Sequence, residues 1–282
     1  MRVSFHHLAE HAFVSLLVLL AVLAGCATAP VTGRTQLLLI PEAQETSLGE
    51  KAFDQLVQKA TRQGRLISSN DPNPTHRAAH AQIQAVLARL APAADPERRY
   101  RWEYVLLNDP KTVNAGALPG GKIIIWSGLF QVTQTEAGLA VVLGHELGHV
   151  LAHHSAERIS QERLTGLVSS AILRGVPDTQ GGRLLAAALG LGTEVGILLP
   201  YSRLQESEAD RIGLLLMAKA GYDPREAINL WQRMGALEKA RPPVWLSTHP
   251  SPPQRIANLQ GWMPEALRYY QNPALPLPGL AR

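Results

Sequence analysis

The sequence predicts an α+β fold that is mostly helical, with a small β-sheet beside one strongly apolar helix. Two amphipathic stretches, Glu42–Gln63 and His76–Leu90, carry apolar residues at helical spacing. Two β-like runs follow, Trp102–Leu107 and Ile123–Trp126, and turn residues separate them. From Thr133 onward the pattern is helical almost to the end of the chain.

The composition is that of a globular chain, and it argues against one class of partner. Hydrophobic residues make up 46% of the 282 positions and charged residues 18%, and the formal net charge is only +4. The densest basic cluster, Arg98, Arg99 and Arg101, is short and poor in aromatic neighbours. Nucleic-acid-binding proteins usually carry a longer basic stripe. We therefore expect no nucleic-acid partner.

The first 25 residues are predicted to be a targeting segment. After a weakly basic start, an apolar run extends from Ala12 to Gly25, which is shorter than the ~20 apolar residues of a membrane span. The run ends in Leu23–Cys26 (LAGC), a sequence that resembles the lipobox of bacterial lipoproteins. An ordinary secretory signal or a short membrane anchor is the alternative interpretation.

Cys26 is the predicted lipidation site. It is the only cysteine of the chain, so no intramolecular disulfide can form. Acylation would leave no free thiol in an oxidising compartment, and two or more acyl chains suffice for stable anchoring. We therefore expect the chain to contact a membrane through a lipid on Cys26.

A second apolar segment, Leu184–Leu199, is rich in Ala, Gly and Leu. Glu194 interrupts it and Pro200 closes it, so it is a poor candidate for a membrane span. A core helix or a mobile cover over a cleft fits the pattern better.

The most informative motif lies in Val141–Val150, which reads VVLGHELGHV and contains His145-Glu146-x-x-His149. Residues four apart share one face of a helix, so His145 and His149 can reach the same metal ion. Glu146 lies one step round the helix, where a carboxylate can act as general base. Histidines on a polar surface helix are the alternative, but this helix is strongly apolar, and burying imidazoles without partners would be costly.

The local pattern supports this helix. Thr133 and Glu136 are expected to form a capping box at its start. Gly144 and Gly148 each cost about 1 kcal/mol relative to alanine in a helix. We therefore expect these glycines to serve close packing or to leave room for a substrate.

A catalytic zinc site needs a third protein ligand and an open position. The candidate segment is Ser202–Asp210, in which Glu206 and Asp210 are four residues apart. Glu206 can bind the metal while Asp210 hydrogen-bonds the far nitrogen of a ligand histidine. On spacing alone Glu208 is nearly as good a ligand as Glu206, and both could lie on a charged surface turn of helix.

Taken together, these motifs resemble the gluzincin zinc metallopeptidases, the family of the CAAX prenyl proteases and HtpX, and most closely their soluble periplasmic lipoprotein branch (BepA and LoiP). Three further segments carry the likeness: Pro30–Arg34, Asn114–Gly121 and His249–Ile256. The resemblance implies a zincin fold, one zinc ion per chain, Glu206 as the third ligand, and Arg203 and Asp210 beside the ligands. Gly116 departs from the family pattern, in which this position is bulkier.

The segment from Asn114 to Trp126 has two possible roles. A strand at the border of the cleft can pair its free edge with an extended peptide, and Asn114 and Ala115 are then the residues that contact the substrate. An internal hairpin of a small sheet is the equally weighted alternative.

His249 lies in a loop next to several prolines. It could approach the metal, either to stabilise the oxyanion or to occupy the open position in a resting state. An exposed loop histidine is the alternative. His153 and His154, which follow the motif, are predicted to be flanking and packing residues.

The resulting hypothesis is a zinc endopeptidase that hydrolyses polypeptides, plausibly misfolded or stalled envelope proteins as the resemblance implies. The predicted organisation is a signal peptide (1–25), a tether (26–41), a peptidase domain (42–262) and a Pro-rich tail (263–282). We expect a lipid-anchored location in a bacterial cell envelope, at the periplasmic face of the outer membrane, with outer-membrane assembly machinery as a possible partner. The alternative is a non-catalytic chaperone or assembly factor on the same fold.

Overall fold

The computed structural model describes residues 25–172, 201–240, 244–249 and 254–280. The helices are α1 Glu42–Arg62, α2 Pro74–Ala94, α3 Phe130–Thr133, α4 Glu136–Leu151, α5 His154–Ile172, α6 Arg203–Lys219, α7 Glu226–Ala240, α8 Val244–Thr248 and α9 Arg255–Gln271. The strands are β1 Cys26–Thr28, β2 Thr35–Leu37, β3 Leu66–Ile67, β4 Glu103–Leu107, β5 Ala115–Leu118 and β6 Lys122–Trp126. The predicted α+β fold, mostly helical with small sheets, is confirmed.

Within these described ranges, no helix is long and apolar enough to cross a bilayer. The segment Leu184–Leu199, predicted to be a core helix or a cover, lies outside the described residues. The same holds for the targeting segment before Gly25.

The main sheet has four strands in the order β3-β4-β6-β5. The central strand β6 runs parallel to β4, with Glu103 opposite Lys122, and antiparallel to β5, with Ala115 opposite Ile125. β5 and β6 therefore form a hairpin, and β5 is also an edge strand of the sheet. The hairpin that was one alternative for the Asn114–Trp126 segment is present, and pairing of a substrate with the edge of β5 stays a prediction.

The two faces of the sheet are covered by different helices, because successive side chains of a strand point to opposite sides. Ile123 and Ile125 of β6 belong to the large core that also contains the apolar residues of α4, α6 and α2. Ile124, between them, belongs to a smaller core together with Phe53 and Leu56 of α1. This burial on both faces explains why β6 is a continuous apolar run.

Helix α4 begins two residues later than the expected capping box implies. The side chain of Thr135, and not that of Thr133, accepts a hydrogen bond from the backbone N–H of Gly138 at 3.0 Å. Thr133 is the last residue of α3, and Gln134 adopts a positive φ of 59° between the two helices. This break shifts the cap along the chain.

Close packing of α4 on α6 is the feature that positions the site. A Cβ atom added to Gly148 would lie 2.8 Å from the carbonyl oxygen of Ala209, and one added to Gly144 would lie 2.9 Å from that of Gly213. A Cβ atom on Gly213 would lie 2.6 Å from the backbone nitrogen of His145. The expectation that Gly144 and Gly148 serve close packing is therefore confirmed.

The segment before α1 is folded against the domain, although residues 26–41 were expected to be a tether. We call residues 26–38 the N-terminal arm. Strands β1 and β2 pair within it, from Cys26 opposite Leu37 to Thr28 opposite Thr35. The arm docks because Val31 packs into the large core and its N–H donates to the carbonyl of Pro278 at 2.9 Å.

The C-terminal end also differs from the expected boundary at residue 262. Helix α9 continues to Gln271, and Leu277 and Leu280 beyond it are buried in the large core. These two apolar side chains hold the end of the chain on the domain, so the segment 263–282 is not an external tail over its described part.

The α4–α6 contact makes a testable prediction about two glycines. Gly213→Ala should destabilise the metal-free protein by about 1–3 kcal/mol, because the new methyl group collides with backbone and forces the helices apart. Gly235→Ala is the matched control: its Cβ would meet nothing within 4 Å, so alanine should stabilise helix α7 by up to about 1 kcal/mol. Urea unfolding of both variants checks this, and equal stability would contradict the packing argument.

Candidate metal centre

Two histidines of α4 and one glutamate of α6 converge inside the protein. The Nε2 atoms of His145 and His149 are 3.1 Å apart. Glu206 Oε2 lies 3.6 Å from His145 Nε2, and Glu206 Oε1 lies 3.4 Å from His149 Nε2. All three residues are buried. The structure therefore brings together the three residues that were predicted to bind the metal.

His249 completes the cluster from the end of α8. Its Nδ1 atom is 2.8 Å from Glu206 Oε1 and 3.2 Å from His145 Nε2. Its backbone N–H donates to the carbonyl of Trp245 at 2.7 Å, which fixes the residue to α8. His249 is thus buried, and the alternative of an exposed loop histidine is wrong.

The size of this cluster suits a zinc ion. The cluster has one donor atom from each of four residues, and these atoms all lie within 4.8 Å of one another: His145, His149, Glu206 and His249. The donor separations given above are 2.8–3.6 Å. Tetrahedral zinc with bonds of about 2.0–2.2 Å requires donor separations of about 3.3–3.6 Å. The four donors therefore lie close enough together to bind one zinc ion.

The charge states of His145, His149 and Glu206 also suit a cation. Burial lowers the pKa of His145 and of His149 well below the ordinary value, so both imidazoles are neutral and offer a lone pair. Burial alone would raise the pKa of Glu206, but the neighbouring His249 and His149 hold it well below the usual range. Neutral imidazoles with a carboxylate are a common ligand set for Zn²⁺.

Asp210 orients His145, as predicted. His145 Nδ1 lies 2.9 Å from Asp210 Oδ1, so this nitrogen donates and Nε2 faces the cluster. Arg255, buried on α9, donates to Asp210 and also contacts Glu206 Oε2 at 3.4 Å. Burial raises the pKa of Asp210 to about 6, and the positive charge of Arg255 opposes that rise.

Arg203, predicted to lie beside the ligands, does not do so. It is exposed at the first residue of α6, where its side chain points away from the buried face of the helix. The guanidinium at the site is that of Arg255, whose carbon lies 3.6 Å above the ring centre of Trp231. Arg255 lies in a segment that carried the family resemblance, but spacing could not show that α9 packs against α6.

His154 contacts the second histidine of the cluster, His149, although it was predicted to be a packing residue. The two Nδ1 atoms are 2.7 Å apart, and His154 Nε2 lies 3.0 Å from Glu208 Oε2. His153 adopts a positive φ of 52° between α4 and α5, and this turn brings His154 back towards His149. Glu208 therefore contacts His154, the neighbour of His149, and is not itself in the cluster.

Glu146 lies beside the cluster with its own hydrogen-bond donor. Trp245 Nε1 donates to Glu146 Oε1 at 3.2 Å, and His249 Nε2 lies 3.5 Å from the same oxygen. Burial raises the pKa of Glu146 above its ordinary value, which is the direction that suits a general base. The sequence carried no signal for Trp245, because its contact depends on how α8 packs against α4.

The two predicted substrate-contact residues lie at the start of β5, next to α4. Ala115 pairs with Ile125 on the inner side of this edge strand. The side-chain oxygen and nitrogen of Asn114 are both buried and have no hydrogen-bond partner among the described residues. Burying an amide in this state is costly, and a role of Asn114 in contacting a substrate stays a prediction.

Comparison with known proteins agrees with this geometry. The model of peptidase family M48 matches residues 77–263. The mitochondrial metalloendopeptidase OMA1 of Schizosaccharomyces pombe is 38% identical over 195 residues, 68% of this chain and 56% of that protein. OMA1 of Saccharomyces cerevisiae is 31% identical over 264 residues, 86% of this chain and 70% of that protein.

A bacterial relative is more distant. The beta-barrel assembly-enhancing protease of Escherichia coli is 27% identical over 238 residues, 82% of this chain and 46% of that protein. The chain thus spans between about half and 70% of the length of these three relatives.

One prediction is wrong by this comparison. The expected location, lipid-anchored at the periplasmic face of a bacterial outer membrane, is contradicted because the OMA1 relatives from yeasts, a plant and vertebrates are mitochondrial by name. The prediction depended on a four-residue pattern, Leu23–Cys26, in front of the fold. Cys26 itself is exposed at the start of β1, and its acylation stays a prediction.

The predicted cofactor and enzyme class are confirmed at the level of the family. The family match covers all three histidines of the cluster, Glu146 and Glu206, and the relatives are named metalloendopeptidases. With four buried donors arranged for zinc and a carboxylate beside them, the chain belongs to peptidase family M48, a family of zinc metallopeptidases.

Proposed function

We propose that this chain is a zinc-dependent endopeptidase that cleaves polypeptides held in extended form along β5. The observation that carries the proposal is the position of Glu146, buried next to the four-donor cluster. A purely structural metal site has no need of an additional buried carboxylate, because such a site is closed by its ligands. The names of the relatives, metalloendopeptidases and a protease, support the same activity.

In the proposed hydrolysis, Glu146 transfers the proton and Trp245 orients Glu146. When bound, zinc polarises the peptide carbonyl and acidifies a water molecule. Glu146 accepts a proton from the attacking water and then delivers it to the leaving amine. The indole N–H of Trp245 holds one oxygen of Glu146 at 3.2 Å, which directs the carboxylate and limits its rotation.

The edge strand supports a proposal about the class of substrate. β5 is the last strand of the sheet and lies next to α4, so an extended peptide can pair with its free side. The unsatisfied amide of Asn114 can then bond to the substrate backbone. Because only an unfolded stretch can lie along a strand edge in this way, we propose that misfolded or stalled proteins are the substrates.

The position of His249 favours one of its two predicted roles. Its Nδ1 atom lies beside the donors of His145 and Glu206, where it can supply a fourth ligand at the position that a catalytic site keeps open. We therefore propose that His249 closes the site at rest, and that α8 has to move before a substrate can bind. A role in stabilising the oxyanion would require the ring to face the substrate instead.

A second candidate function is a chaperone or assembly factor that binds unfolded chains without cutting them. The β5 edge supports it, since pairing with an extended peptide does not require hydrolysis. The name of the Escherichia coli relative, a beta-barrel assembly-enhancing protease, joins the two activities in one protein. Assembly machinery is therefore a possible partner.

The ligand assignment predicts zinc content. His145→Ala, His149→Ala and Glu206→Ala should each lose the ion during dialysis, because three donors at most remain. Glu146→Gln should retain about one zinc per chain, since Glu146 is not a donor. Metal analysis by mass spectrometry checks this, and a Glu206→Ala variant that retains a full equivalent would contradict the assignment.

The same Glu146→Gln variant separates the two candidate functions. Proteolysis of casein should fall by about 10²–10⁴-fold, the usual contribution of a general acid–base group, while binding of unfolded casein is retained. If this zinc-loaded variant cleaves casein at the wild-type rate, the proposed mechanism is wrong. If the wild type binds casein without cleaving it, the chaperone function is correct instead.

His249→Ala tests whether the resting site is closed. Proteolysis should increase and zinc retention should weaken slightly, because one ligand is lost and the fourth position opens. His76→Ala, which removes a partly exposed histidine at the start of α2, is the control and should change neither quantity. A decrease in turnover of about 10²–10³-fold would instead assign His249 to the oxyanion.

A further inference from the structure

We infer that Thr32 and Arg34 of the N-terminal arm are positioning residues for the metal ligand His149. They act through a buried chain of hydrogen bonds formed by Glu208 and His154. The inference rests on the proposed role of His149 as a ligand, and not on the peptidase activity. Thr32 and Arg34 lie outside residues 77–263, which the family model matches.

Arg34 binds two buried carboxylates at once. Its Nε donates to Glu208 Oε2 at 2.7 Å, while Nη1 and Nη2 donate to the two oxygens of Glu157 at 2.6 and 2.8 Å. The hydroxyl of Thr32 donates to the other oxygen of Glu208. The side chains of Glu157 and Glu208 are only 5% and 3% exposed, so Arg34 supplies the positive charge that they need.

This arrangement determines which ring nitrogen carries the proton in His154 and then in the ligand His149. An ionised Glu208 only accepts hydrogen bonds, so the nitrogen of His154 that faces it, Nε2 at 3.0 Å, must donate. In a neutral imidazole the other nitrogen then accepts, and His154 Nδ1 faces His149 Nδ1 at 2.7 Å. His149 Nδ1 must therefore donate, which leaves the lone pair of Nε2 directed into the cluster.

The arm is held firmly enough to perform this role. Within it, the N–H of Ala29 donates to the carbonyl of Arg34 at 2.8 Å, and Val31 bonds to Pro278 at 2.9 Å. Just beyond it, the N–H of Leu39 donates to Ser160 Oγ at 2.7 Å. Arg34 thus approaches Glu208 from a backbone that is fixed on both sides.

The two ligand histidines are supported in different ways. His145 bonds directly to Asp210, and Arg255 of α9 provides the countercharge. His149 is connected to the carboxylate of Glu208 through His154, and Arg34 of the N-terminal arm provides the countercharge to Glu208. Disturbing the arm should therefore loosen the metal from the His149 side while the Asp210–His145 contact remains.

The test measures zinc release from the full-length chain in a Glu146→Gln background, so that proteolysis plays no part in the readout. Arg34→Gln should weaken zinc binding by about 10–100-fold, the usual cost of losing a residue that orients a ligand. The control is Arg65→Gln, which breaks another arginine–carboxylate pair, with Asp109 at 2.9 Å. Competition with a coloured zinc chelator gives both affinities, and the control should be unchanged.

A double-mutant cycle distinguishes positioning of His149 through His154 from a general loosening of the fold. In a His154→Phe background the hydrogen-bond chain is cut, so adding Arg34→Gln should not weaken zinc binding further. An equal effect of Arg34→Gln with and without His154 would overturn the inference, and so would wild-type affinity in the single Arg34→Gln variant. If Arg34→Gln does not fold, Thr32→Val replaces it in the same cycle, with a smaller effect expected.

Discussion

The structure depends on how closely α4 and α6 approach each other. Gly144 and Gly148 of α4 face Gly213 and the backbone of Ala209 on α6, with no space for a side chain between them. Protein interiors are packed densely and cannot deform continuously, so this contact sets the distance between the histidines of one helix and the carboxylates of the other. A larger residue at these positions would collide with the backbone of the facing helix.

The metal centre also requires that the negative charges buried on α6 be compensated. Helix α6 brings three acidic side chains into the interior, and isolated buried carboxylates are strongly unfavourable. Two guanidinium groups balance them: Arg255 contacts Glu206 and Asp210, and Arg34 contacts Glu208. Because these arginines come from α9 and from the N-terminal arm, both ends of the described chain contribute to the metal centre.

These contacts also explain how far the sequence could predict the site. His145 and His149 were predictable because both lie on one helix, where spacing determines geometry. Spacing could not choose between Glu206 and Glu208, since the choice depends on the rotation of α6 against α4, and the family resemblance was needed. Contacts between elements that are distant in the sequence leave no local sequence pattern. For this reason the site contacts of four residues were not predicted: Arg34, His154, Trp245 and Arg255. The helices and the small sheet were predictable from periodicity, but the parallel pairing of β4 with β6 was not.

The most direct test of this account is X-ray absorption spectroscopy at the zinc edge of the loaded wild-type protein. The account predicts four nitrogen or oxygen ligands at about 2.0–2.2 Å, with the multiple scattering of three imidazoles from His145, His149 and His249. His249→Ala should reduce that scattering to two imidazoles. A wild-type spectrum with five or six oxygen-dominated ligands, or one that His249→Ala leaves unchanged, would contradict the closed tetrahedral site.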